Sequence, residues 1–128
     1  MSQGNRSTVL AAAQEWKDAF NRQDAAGCAA CYTADATMHA EPLARAQGRE
    51  EIQTFWQGLI DAGFRDVEYL DPKVELLSDS KARLTSPWTM NRASGRIHNE
   101  TWELSSEGQW LLTYDHFEVL EQFEDSKT

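Results

Sequence analysis

The chain has 128 residues and a formal charge of −9, with 21 acidic against 12 basic side chains. This length suffices for one domain with its own core, and the charge argues against nucleic acid or anionic membrane as a partner. No apolar run approaches the roughly 20 residues of a membrane-spanning helix, and the polar start over 1–8 lacks the apolar centre of a secretory leader. The expectation is a cytoplasmic domain over 1–128 with flexible termini at about 1–6 and 122–128, the latter overlapping the acidic stretch 118–125.

Ser7 or Thr8 reads as the N-cap of a first helix that reaches Arg22. Val9, Ala13, Trp16 and Phe20 recur at helical spacing and give it one apolar face. Asp24 caps a short second helix over 25–32, which carries Cys28 and Cys31. A redox pair of this spacing needs a strand before it and a helix N-terminus that lowers the thiol pKa. Here a helix precedes it, and neither a further cysteine nor a nearby histidine completes a zinc set. Buried core thiols are the better account.

Residues 36–40 form a short strand that Glu41-Pro42 breaks. Gly48 opens a third helix with Ile52, Phe55, Trp56, Leu59 and Ile60 as its buried stripe, and Gly63 stops it. From Phe64 onward the period becomes that of strands: 65–77, bent at Asp71-Pro72, then 81–91, 96–105 and 109–120. Turns at Ser78-Asp79-Ser80, Ser94-Gly95 and Glu107-Gly108 separate them, an antiparallel meander. Helices first and strands afterwards predict an α+β domain. Pro87 removes a ladder donor within its strand and predicts a bulge or bend.

Alternation sorts the last two strands. His98, Glu100, Trp102 and Leu104 share one face, and the large apolar members turn it inward. Trp110, Leu112, Tyr114 and His116 share a face opposed by Leu111, Thr113, Asp115 and Phe117. Both are partly apolar, so one lines the interior and the other is available to a partner subunit. The five tryptophans either fill the core or together line a flat slot for a small apolar or aromatic ligand. His39, His98 and His116 lie on three strands with no paired-histidine motif, so a metal would need those strands to converge, and none is expected. The chain has no glycine-rich phosphate loop or nucleophile elbow, and no cofactor is expected.

The helix ending Phe20-Asn21-Arg22-Gln23-Asp24, the alanine-rich helix, the run Tyr32-Thr33-Ala34-Asp35-Ala36-Thr37 and the opening Gly48-Arg49-Glu50-Glu51-Ile52 follow one another in an order that resembles the NTF2-like superfamily. That superfamily includes the ketosteroid isomerases and the SnoaL-type polyketide cyclases. The ending Trp110-Leu111-Leu112-Thr113-Tyr114-Asp115-His116-Phe117 resembles that of SnoaL-like proteins. The resemblance implies an α+β cone, three N-terminal helices packed in a curved antiparallel sheet, with a ligand pocket inside. It puts Trp16, eight residues before Asp24, where the isomerases carry an oxyanion-hole tyrosine. Glu100 falls where they keep a protonated carboxylic acid, a known example of such tuning. Their aspartate base falls at Ala40, flanked by His39 and Glu41, either of which can enter the pocket.

By the same resemblance His116 looks into the cavity. The expected machinery is then His116 as base and Glu100 as its orienter or as oxyanion donor. Trp16, Phe20, Trp56, Trp88, Trp102, Tyr114, His39, Glu41 and His98 surround a small hydrophobic substrate. The reading is isomerase- or cyclase-like proton transfer; the alternative is a non-catalytic ligand-binding or protein-interaction module. Leu111, Phe117 and Val119 predict a homodimer through the outer sheet face.

Overall fold

The computed structural model describes residues 2–122, with side chains from Arg6 onward. Of the termini expected to be flexible, residues 1 and 123–128 lie outside the described residues. Helix α1 spans Ser2–Asn21 and so begins ahead of the expected cap. Thr8 lies within it, and its hydroxyl accepts from the Trp110 indole N–H at 2.9 Å. Asp24 does cap α2 (Ala25–Ala30), accepting from the Gly27 N–H at 3.0 Å. Cys28 is buried and Cys31 half-buried. Burial pushes their thiols up to about 12 and about 11, which makes them poor nucleophiles.

Strand β1 (Tyr32–Glu41) is longer than expected and forms a hairpin with β2 (Ala44–Gln47), a strand the sequence pattern does not signal. Helix α3 (Arg49–Asp61) follows, so the three helices are interrupted by that hairpin. The expected strand over 65–77 divides at Asp71-Pro72 into β3 (Glu68–Tyr69) and β4 (Lys73–Ser78). Then come β5 (Lys81–Thr89), β6 (Ala93–Leu104) and β7 (Trp110–Gln122). The turn before β6 closes through Met90 N–H to the Ala93 carbonyl at 2.8 Å, which leaves Ser94 and Gly95 inside the strand.

The strand order is β2-β1-β7-β6-β5-β3, with β4 also paired to β5. The last strand returns parallel to β1, so the sheet is mixed rather than wholly antiparallel. Three register shifts interrupt the β6–β7 ladder, at Ser94/Gly95, Ile97/Asn99 and Thr101/Trp102. Each extra residue bends and twists its strand, which is how a sheet curves around helices. The irregularity near Pro87 falls on its neighbour: β5 advances from Leu84 to Ser86 while β6 runs from Glu100 to Ile97.

The core lies between the helices and the sheet. Val9, Trp16 and Phe20 from α1, Ile52 and Trp56 from α3, and Met38, Leu84, Trp102 and Leu112 from the sheet are all buried. Trp16 stacks on Phe20 at 5.5 Å between centroids and meets Trp56 edge-on at 4.9 Å. Trp56 in turn lies along Phe117 at 5.7 Å. Each such pair adds about 0.5–1.5 kcal/mol beyond burial. Among the described residues no helix is long and apolar enough to cross a membrane.

Two glycines separate packing from propensity. A Cβ on Gly95 would overlap the Glu118 carbonyl oxygen and stand 2.7 Å from the Trp88 ring, whereas one on Gly58, inside α3, would meet nothing. Urea denaturation should show Gly95→Ala destabilising by about 2–4 kcal/mol and Gly58→Ala stabilising by about 0.5–1 kcal/mol.

Candidate active site

The bulges decide which side chains reach the interior. On β7, Trp110 and Leu112 point inward; then Thr113 is the extra residue, since Thr101 pairs with Tyr114 and Trp102 with Leu112. The inward set is therefore reset to Asp115 and Phe117. On β6, Ile97 points inward, the extra residue follows, and the inward set resumes at Glu100 and Trp102. The ladder then pairs Glu100 with Asp115, and both are only 4% exposed.

Tyrosines and an indole hold the two carboxyls. Tyr69, on β3, donates its hydroxyl to Glu100 Oε2 at 2.8 Å, and the Trp102 indole N–H donates to Oε1 at 3.0 Å. Tyr32, at the start of β1, donates to Asp115 Oδ2 at 2.7 Å. Asp115 Oδ1 is buried without a partner, and so are the indole nitrogens of Trp16 and Trp88, while the Trp56 indole N–H is directed toward the Tyr32 hydroxyl. Asp115 and these three tryptophans line one cavity with Glu100, Tyr69, Val67, Met90, Ile97 and Phe117. The free space among them is about 30 Å³, room for about two waters.

Burial dominates the electrostatics. It pushes the Glu100 carboxyl up to about 8, helped by the charge of Asp115 and opposed by the Tyr69 and Trp102 hydrogen bonds and by Lys17. The Lys17 ammonium sits 4.9 Å over the Tyr69 ring. Burial also raises Asp115, to about 6, against the Tyr32 hydrogen bond and the His116 charge. Tyr32 and Tyr69 are both raised well above the usual phenol range, by burial and then by the facing carboxylates. Burial raises both carboxyls, and the Asp115 charge raises Glu100 further, so ionising the two together is unfavourable.

Of the residues expected at the site, Trp16, Trp56, Trp88 and Glu100 line the cavity. Phe20 is buried behind Trp16, and Trp102 reaches the site through its N–H. The others are corrected. His116, His98, His39, Glu41 and Tyr114 lie on the opposite face of the sheet, all partly exposed. His116 Nε2 is 2.9 Å from Glu41 Oε1, and His98 Nε2 is 2.8 Å from Glu118 Oε1. His116 and Glu100 therefore do not meet, because one extra residue at Thr113 inverts the alternation of β7. The same inversion turns Phe117 inward and takes it off the expected subunit face.

Asp115, Tyr32 and Tyr69 are the site residues that alternation missed. One signal for Asp115 was present: Leu112 and Phe117 are both large and apolar but stand an odd number of residues apart. A strand that is apolar on both parities has either two covered faces or a bulge.

The model of the SnoaL-like domain family matches residues 13–119, and the chain belongs to that family. A ketosteroid isomerase-like protein from Erwinia carotovora atroseptica is 20% identical, with a TM-score of 0.78 over 90% of this chain and 95% of that one. A candidate scytalone dehydratase from Novosphingobium aromaticivorans is 13% identical, with a TM-score of 0.82 over 99% of this chain and 91% of that one. ActVI-ORFA from Streptomyces coelicolor is 19% identical, with a TM-score of 0.75 over 90% and 97%. At such identities the likeness is one of fold. No curated protein sequence matches the chain.

The raised Glu100 carboxyl has a consequence for stability. A group that holds its proton more tightly when folded stabilises the protein while it is protonated. That contribution declines as pH rises from the ordinary value of 4.5 through about 8. Glu100→Gln cannot ionise beside Asp115, Tyr69 and Lys17, so its stability should lack this decline. Relative to the parent, thermal melts should show it gaining about 1–3 kcal/mol between pH 5 and pH 9. A difference independent of pH would contradict the assignment.

Proposed function

We propose that the protein is a cofactor-free enzyme that moves a proton within a small, flat, apolar substrate, with Asp115 as base and Glu100 as acid. The observation that carries this reading is the unpartnered Oδ1 of Asp115, which lines a cavity walled by aromatic rings and faces Glu100 across the ladder. Its partner oxygen is fixed by Tyr32, so the free oxygen is aimed.

The chemistry follows from those positions. Asp115 Oδ1 takes a proton from a carbon beside a carbonyl, and the bonding pair moves into the carbonyl as an enolate. The neutral Glu100 carboxyl and the unpartnered indole N–H groups stabilise the developing oxyanion, where preorganised donors are worth most. Return of the proton from Asp115 to a different carbon completes an isomerisation with nothing consumed. If a hydroxyl sits beta to the new carbanion, Glu100 protonates it as it leaves and the outcome is dehydration. Among the described residues no cationic side chain lines the cavity, so a neutral substrate fits better than an anion beside two carboxyls. Entry requires more than the free space described, and half-exposed Met90, with its unbranched, easily rotated side chain, is the wall element best suited to move.

The test uses two probes. Cyclohex-3-enone conjugates to cyclohex-2-enone on proton transfer, which ultraviolet absorbance follows, and a neutral phenol mimics the enol and reports by quenching tryptophan fluorescence. Asp115→Asn should lower the conjugation rate by about 10²–10⁴. Glu100→Gln should weaken phenol binding and lower the rate less. Conversion at the buffer rate by the parent, with no quenching by phenol, would overturn the reading.

A further inference from the structure

The face of the sheet opposite the cavity carries a second group of titratable side chains that proton transfer does not use. We propose that His39, Glu41 and His116 form a binding site for a divalent first-row transition ion of the zinc type.

The backbone places the three donors. Strands β1 and β7 run parallel with His39 opposite His116 and Glu41 opposite Glu118. Residues two apart on a strand share a face, so His39 and Glu41 supply two corners of a triangle and His116, one strand away, supplies the third. The two imidazoles lie nearly parallel, 12° between planes and 5.0 Å between centroids. The Glu41 carboxylate stands against both rings, Oε1 at 2.9 Å from His116 Nε2 and Oε2 at 3.9 Å from His39 Nε2. All three residues offer ligand atoms within 4.8 Å of one another.

Zinc bonds to nitrogen and oxygen are about 2.0–2.2 Å, which sets donors about 3.3 Å apart around a tetrahedral ion. The two carboxylate–imidazole contacts, 2.9 and 3.9 Å, bracket that separation. Two imidazoles and one carboxylate leave a fourth position for water, the donor set of open zinc sites.

A simple ion pair accounts for only part of this geometry. It explains the His116–Glu41 contact, whereas the second imidazole, stacked on the first by the in-register pairing of β1 and β7, is turned to the other oxygen of the same carboxylate. A shared cation would use all three groups at once. The strands fix the register, the three side chains are between 26% and 42% exposed, and the net charge of −9 favours cation capture. His98 lies 4.9 Å from His116 between ring centroids but is already engaged by Glu118 at 2.8 Å. It forms with Glu41 and Glu118 a neighbouring group with a single imidazole, the poorer donor set for zinc.

The experiment uses the full chain, stripped with a chelator and titrated with Zn²⁺ in competition with a chromophoric chelator. One ion per chain is expected. His39→Ala and His116→Ala should each weaken binding at least about tenfold, while His98→Ala should change it by less than about threefold. Circular dichroism on the same samples checks that each variant is folded. In the unaltered protein, Zn²⁺ should shift the ring resonances of His39 and His116 in the imidazole NMR spectrum. A parent protein that does not compete with the chelator, or one whose affinity survives both substitutions, would overturn the proposal. A loss in His98→Ala equal to that in His116→Ala would also overturn it.

Discussion

Glu100 and Asp115 face each other across β6 and β7, both buried, and every other element of the site answers to that juxtaposition. A buried carboxylate without a counter-charge is unfavourable by several kcal/mol. Tyr69, Trp102 and Tyr32 offset that cost by donating to three of the four oxygens, and burial shifts both groups toward their neutral forms. Burial among the surrounding rings is what raises both carboxyls. The fourth oxygen, Asp115 Oδ1, finds no donor among the described residues, and Asp115 lines the cavity.

The bulges connect this chemistry to the fold. A regular β7 would carry His116 into the cavity and Asp115 out of it. One additional residue at Thr113 reverses the two, and a second on β6 turns His98 outward while keeping Glu100 inside. The same devices curve the sheet around α1 and α3. The acidic pair and the histidine group are therefore separated by the thickness of a single sheet, with Asp115 and His116 as sequence neighbours on opposite faces.

Much of the fold was readable in the residues, because it rests on local chemistry. The apolar period of α1 and α3, the Asp24 cap and the glycines at Gly48, Gly63 and Gly108 with positive φ all mark their elements directly. The return of β7 alongside β1 was not readable, since parallel pairing leaves no local signature. Neither was β2, four residues with a single buried side chain, Ala46. At the site, Glu100 and Trp16 were read with the help of the resemblance to ketosteroid isomerases, and Trp56 and Trp88 from the use of tryptophan along the chain; all four line the cavity. His116 was misplaced because a period of two carries an error of one residue to everything beyond it. Tyr69 sits on a strand of two residues, too short for any period to show.

The account turns on whether the Glu100 carboxyl is neutral when the protein is folded at physiological pH. Carbon-13 NMR of the glutamate side-chain carboxyls, with Glu100 assigned through Glu100→Gln, answers this directly. The account predicts one glutamate carboxyl that remains protonated at pH 7 and titrates near 8. A Glu100 resonance already at its ionised position at pH 6, among the surface glutamates, would contradict it.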